Sequence, residues 1–256
     1  MVKVLRKAKV FFINGIILTI TSLIMRGAGL IFQIYVSNKI GTEAVGLFSL
    51  IMSVYMFAIT IATSGISIAA TCIISEELAK NNYRGIINAS KKCNSFSLIL
   101  GIVSALFILI LSPTIASLWL HGKVSPIPLF FISIGLPFIA ISSSLNGYFS
   151  ATRKAYKTAS SQFIELSIKI ISTVLLLKIF INGGVEYICI ALIGADVISE
   201  VFSFIYLYIL YKIDRRKYLN IDRFLDFSYS KKIIKISFPI AITSYVRSGL
   251  STIKQF

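Results

Sequence analysis

Eight side chains in this sequence are polar or ionisable yet stand inside runs of apolar residues: Arg26, Gln33, Glu165, Lys169, Asp196, Glu200, Arg247 and Lys254. In a bilayer such groups are rare, and they mark cavities, ion paths or substrate contacts. Arg26 lies near the middle of the 26-residue stretch from Phe11 to Val36, long enough to cross a membrane. A guanidinium keeps its proton, and at the bilayer centre it costs about 2.5–3.5 kcal/mol on insertion scales. It therefore calls for an internal watery cavity or an anion. Glu165 and Lys169 are four apart and share a helix face, where they can pair. Asp196 and Glu200 are also four apart, so two like charges share a face and call for cations or a proton. As an ion or proton site they would be functional. They could equally neutralise Arg26, or simply reach water at the membrane edge.

No covalent chemistry is encoded by comparable spacing. The sequence has no Ser-His-Asp set, no metal-ligand cluster, no cofactor-binding motif and no Walker-type phosphate loop. It does not read as an enzyme or an ATP-driven pump. Gly27 and Gly29, beside Arg26, suggest a close helix contact or a kink. The three cysteines, Cys72, Cys93 and Cys189, have no paired spacing and read as packing residues. The single histidine, His121, reads as a solvated loop residue.

The elements that must position these groups are membrane helices. Hydrophobic residues make up 56% and charged ones 14%, against roughly 25% charged in soluble domains. The long apolar runs lack the alternation of a membrane β-barrel. Six spans are expected near 11–36, 44–74, 94–120, 127–149, 160–181 and 186–211, with a seventh starting near 236. The organisation read from this is a six-helix transmembrane bundle over 1–211, a basic connector over 212–235, and the start of a second bundle over 236–256. Residues Ser75 to Lys92 suggest a short surface helix, and Pro126 and Pro128 a tight turn, with Trp119 as an interfacial anchor. The basic N-terminus precedes a run too long for a cleaved signal and is expected to be a retained first span. The end at Phe256, inside the seventh span, is expected for a truncated frame or fragment.

The net charge of +16 sits in the connectors, where the positive-inside rule accounts for it without nucleic acid. On one side fall Lys3, Arg6, Lys7 and Lys9, then Lys80, Arg84, Lys91 and Lys92, then Arg153, Lys154 and Lys157, and the basic residues from Lys212 to Lys235. The other side holds Lys39, Lys123 and Lys178. This bias places the N-terminus and the even-numbered loops in the cytoplasm. Ile20-Thr21-Ser22 with Arg26-Gly27 is echoed by Ile242-Thr243-Ser244 with Arg247 and Gly249, as in transporters built from repeated bundles.

A family resemblance rests on four short segments. Thr21-Ser22-Leu23-Ile24-Met25-Arg26-Gly27-Ala28-Gly29 and Gly41-Thr42-Glu43-Ala44-Val45-Gly46-Leu47-Phe48 resemble the opening of polysaccharide and lipid-linked oligosaccharide flippases. Asn146-Gly147-Tyr148-Phe149 and Ser161-Gln162-Phe163-Ile164-Glu165 resemble patterns of the same family. The match points in particular to the stage V sporulation protein B group, which is related to lipid II flippases and to multidrug and toxic compound extrusion transporters. The resemblance implies two six-helix bundles of a twelve-to-fourteen-span fold, working by alternating access, of which this chain supplies the first. It also implies that Arg26 meets the diphosphate of an undecaprenyl-linked oligosaccharide or peptidoglycan precursor, with Gln33 and Arg247 as further substrate contacts. Glu165, Lys169, Asp196 and Glu200 would line the cavity or couple Na⁺ or H⁺, with membrane lipids and a second half or second copy as partners. A cation exporter of the same superfamily and a non-transporting scaffold are the rival readings.

Overall fold

The structure is a computed structural model that describes residues 2–118, 126–216 and 228–253. Within them the chain forms α1 (Val2–Thr63), α2 (Ile66–Ala79), α3 (Tyr83–Leu118), α4 (Ile127–Ala151), α5 (Ala155–Phe180), a 3₁₀ turn (Ile181–Gly183), α6 (Val185–Arg215) and α7 (Ser228–Ile253). Trp119, His121, Gly122, Lys123, Lys217, Asp222, Arg223, Asp226 and Lys254 lie outside the described residues.

Four helical stretches are long and apolar enough to cross a membrane: Thr19–Ala79, Tyr83–Ser117, Ile127–Ala151 and Val185–Arg215. The first is long enough for two of the expected spans. It is interrupted at Gly41 (φ 82°, ψ 166°), a conformation open to glycine and strained for other residues. At 26 residues α5 is about 39 Å long, ample for a span, but Lys157, Glu165, Lys169 and Lys178 dilute its apolarity. The acids and bases that suggested a site in the sequence are thus what set this helix apart.

Two differences from the sequence reading concern the second span. It is broken at Ser64–Gly65, where Gly65 takes φ 67° and a Cβ would stand 2.7 Å from the Ser237 carbonyl oxygen. Backbone conformation and close approach both require glycine there, and the approaching chain is α7. The expected surface helix over 75–92 is absent as a separate element: its residues complete α2 and begin α3. The turn between them is a Schellman motif, with Asn82 N–H bonding the Glu77 carbonyl at 2.9 Å and Asn81 at φ 55°. The Asn82 side chain then caps α3 through the Gly85 N–H at 3.0 Å. A second Schellman motif joins α4 to α5, with Lys154 N–H on the Phe149 carbonyl at 2.8 Å and Arg153 at φ 58°.

The helices pack through three apolar clusters. One gathers residues 42–63 of α1 with α3, α4 and α6; a second gathers α2, α3, α4, α6 and α7; a third joins α1 around Val36 and Ala44 to α5 and α6. Lipid is as apolar as leucine, so close packing and polar contacts between helices must supply the association. Ser104 donates to the Ala58 carbonyl at 3.0 Å, and Ser144 to Asn94 Oδ1 at 2.7 Å. Helical turns run past both edges of the 212–235 connector, since α6 ends at Arg215 and α7 starts at Ser228.

Candidate functional site

A cavity of about 540 Å³ opens between α1, α5 and α6. Its α1 wall begins with Gly29, Gln33, Ser37 and Ile40, a set spaced three or four apart and so on one helix face. Past the Gly41 break the same helix adds Phe48, Ser49, Met52 and Ser53. Helix α5 contributes Leu166, Lys169 and Thr173, and α6 contributes Leu192 and Asp196. The result is an apolar cleft with a few polar groups converging on it, the usual make-up of a small-molecule site.

Lys169 Nζ lies 2.7 Å from Asp196 Oδ1, so the ion pair at the cavity wall joins α5 to α6. The Asp196 side chain is 7% exposed and that of Lys169 is 38% exposed. Glu165 takes no part in an ion pair with Lys169, contrary to what the four-residue spacing allows. It accepts a hydrogen bond from Ser203 on α6 at 3.0 Å instead. Glu200 is within electrostatic reach of Glu165, Asp196 and Lys169, so three carboxyl groups and one ammonium lie in one neighbourhood. Tyr55, 3% exposed on α1, faces the same acids, and its hydroxyl finds no hydrogen-bond partner among the described residues. In the sequence Tyr55 is one more aromatic in an apolar run, and nothing there singled it out. Among the described residues no group of three or more ligating side chains is placed to hold a metal ion.

Of the residues read from the sequence, the structure brings Gln33, Lys169 and Asp196 together on the cavity wall, with Glu165 and Glu200 outside the lining but within electrostatic reach of Asp196 and Lys169. Arg26 is exposed and stands one helical turn before Gly29, at the edge of the lining. It makes no ion pair among the described residues, and Asp196 is engaged by Lys169. The space in front of Gly27 and Gly29 is open, with no atom within 4 Å of a Cβ built on either. These glycines therefore make neither a close contact nor a kink; they leave room beside Arg26. Arg247, on α7, is exposed and outside the cavity. Its neighbours dock α7 on α1: Thr60 Oγ1 donates to Ser248 Oγ at 3.2 Å, and Tyr245 to the Ile61 carbonyl at 3.5 Å.

Residues 12–256 match the family described as polysaccharide biosynthesis protein. The chain belongs to that family. Stage V sporulation protein B of Bacillus subtilis (strain 168) is 27% identical over 206 residues, covering 80% of this chain and 40% of that protein. Lipid II flippase MurJ of the same organism is 30% identical over 181 residues, covering 66% of this chain and 33% of that protein. The chain thus spans less than half the length of these curated relatives. A crystal structure of MATE in complex with Br-NRF superimposes with TM-score 0.70 at 18% identity, over 90% of this chain and 53% of the other. The fold of this family member is that of one portion of a MATE transporter: a multi-pass bundle of membrane helices.

Proposed function

We propose that this chain forms the first bundle of a flippase that moves a lipid-linked sugar diphosphate across the cytoplasmic membrane. The observation that carries the reading is Arg26 at the edge of the α1–α5–α6 cavity, exposed and without an ion pair among the described residues. A lipid-linked diphosphate has a charged group that cannot enter hydrocarbon and a tail that has no need to leave it. An apolar-walled cleft with a fixed cation beside it fits such a molecule, and arginine grips phosphate oxygens in bidentate fashion. Family membership and the likeness to a lipid II flippase and a sporulation protein support a cargo used in cell-wall, polysaccharide or spore-cortex synthesis.

In this reading residues 1–211 are the first bundle, 212–235 the connector, and 236–256 the start of a second. A second bundle or a second copy supplies the opposite wall, and Arg247 meets the substrate from there. Glu165, Asp196 and Glu200 couple Na⁺ or H⁺ to the movement, with Lys169 holding Asp196. No covalent bond is made or broken. The MATE fold also suits a multidrug exporter, but among the described lining residues the one acid, Asp196, is held by Lys169, and the exposed cation Arg26 at the edge disfavours a cationic drug.

The test is binding of farnesyl diphosphate to the purified protein in lipid nanodiscs. Arg26→Ala should lower affinity by about tenfold or more, the range for a charged hydrogen bond, with Arg26→Lys intermediate. Unchanged affinity in Arg26→Ala overturns the assignment.

A further inference from the structure

A second pocket, of about 300 Å³, opens between the N-terminal part of α1 and the turn from α4 to α5. Its lining carries five hydroxyls, from Thr19, Thr21, Ser22, Ser150 and Thr158, with the Gln162 amide and two alanines. No charged or aromatic side chain among the described residues lines it. The Thr158 hydroxyl is buried and has no hydrogen-bond partner among the described residues.

This pocket and the cavity described above are lined from the same faces of α1 and α5. On α1, Ser22 lines the pocket, Gly29 lines the cavity, and Arg26 falls between them, four residues after one and three before the other. At 1.5 Å per residue the two lining positions are about 10 Å apart along the helix, within reach of a guanidinium on its stem. On α5, Thr158 and Gln162 line the pocket while Leu166, Lys169 and Thr173 line the cavity. Their spacing of three to four residues puts all five on one face, with a single turn from Gln162 to Leu166. Helical side chains lean toward the helix N-terminus, so the Arg26 stem leaves the backbone in the direction of Ser22.

Along these two helix faces three chemistries follow in order: neutral and hydroxyl-rich, then cationic at Arg26, then largely apolar. We propose that the hydroxyl-lined pocket is a carbohydrate subsite, holding a neutral sugar whose diphosphate is held by Arg26. The proposal rests on the diphosphate reading above and adds the sugar to it. Hydroxyls and an amide both donate and accept, which suits the hydroxyls and acetamido groups of a sugar. A cationic ligand would want carboxylates or aromatic faces, which this lining lacks.

Two ligands decide the matter in nanodiscs holding the purified protein: farnesyl diphosphate, and N-acetylglucosaminyl-diphosphofarnesol, which adds the sugar and, as a diester, carries one negative charge fewer, so each variant is compared with wild type on the same ligand. Gln162→Leu and Thr158→Val should each weaken binding of the sugar-bearing ligand by about tenfold, as loss of one or two hydrogen bonds does, while leaving farnesyl diphosphate unchanged. The unchanged ligand is also the control for folding. Arg26→Ala should weaken both. Unchanged binding of the sugar-bearing ligand in Gln162→Leu and Thr158→Val, or equal weakening of both ligands, overturns the carbohydrate subsite and leaves the diphosphate reading standing. No binding of either ligand overturns both.

Discussion

Lys169 and Asp196 make unequal partners, and the inequality is open to measurement. Lys169 is 38% exposed at the cavity, whereas Asp196 is 7% exposed between α5 and α6. Removing one member of a buried pair leaves the other without compensation, at about 3–5 kcal/mol for fully buried charges. Asp196 would be stranded by Lys169→Met, but Lys169 can turn to cavity water after Asp196→Asn. Thermal unfolding of the purified variants should therefore show a larger loss of Tm for Lys169→Met, with the double variant Lys169→Met/Asp196→Leu recovering part of it. Equal losses would mean that the ammonium is as confined as the carboxylate. The pair also marks how far residue spacing could be read. That Lys169 and Asp196 face a shared cavity was legible from the presence of ionisable groups in apolar runs. Their partners were not, because the four-residue rule sees only a residue's own helix, and Lys169 and Glu165 both turn to α6. Tyr55 was illegible for the opposite reason: an aromatic in a membrane helix needs no partner to be there.

Elements are held together most tightly at one end of the bundle by Asp214, which sits past the apolar stretch of α6 that ends at Tyr211. It is 2% exposed, accepts hydrogen bonds from Tyr148 of α4 at 3.0 Å and from Lys154 of α5 at 2.5 Å, and lies 3.4 Å from Lys157. Tyr211 in turn accepts from Ser90 of α3 at 3.0 Å. An amide in place of the buried carboxylate would leave Lys154 and Lys157 without their partner, so Asp214→Asn should lower Tm. An unchanged Tm would show that Asp214 acts through its shape alone. Helix types and approximate limits were legible in the sequence; the breaks at Gly41 and Ser64–Gly65 were not. Glycines are frequent in membrane helices, and only the backbone of α7 beside Gly65 shows why this one matters.

For the molecule as a whole, the charge count makes a claim that the packing can be held against. The positive-inside argument requires the α2–α3 turn, the α4–α5 turn, the end of α6 and the start of α7 to share one side of the membrane. The polar contacts bring these places together at one end: Lys232 of α7 pairs with Glu76 near the end of α2, Lys154 pairs with Asp214, and Ser90 meets Tyr211. Gly41, Thr42 and the 3₁₀ turn Ile181–Gly183 belong to other connections, the ones poor in lysine and arginine. The common end was thus legible from composition because charge in connectors obeys a membrane-wide rule, whereas partners inside the bundle obey local geometry. Under the same rule we propose that this end faces the cytoplasm. With Cys72 replaced by serine and Cys93 and Cys189 buried, single cysteines report the side directly. Thr42→Cys should react with a membrane-impermeant maleimide in intact cells, and Lys80→Cys, an exposed position on the α2–α3 turn, only after permeabilisation. The reverse pattern would place Ser22, Arg26 and the hydroxyl-lined pocket at the outer leaflet, where the proposed flippase would release its cargo rather than collect it.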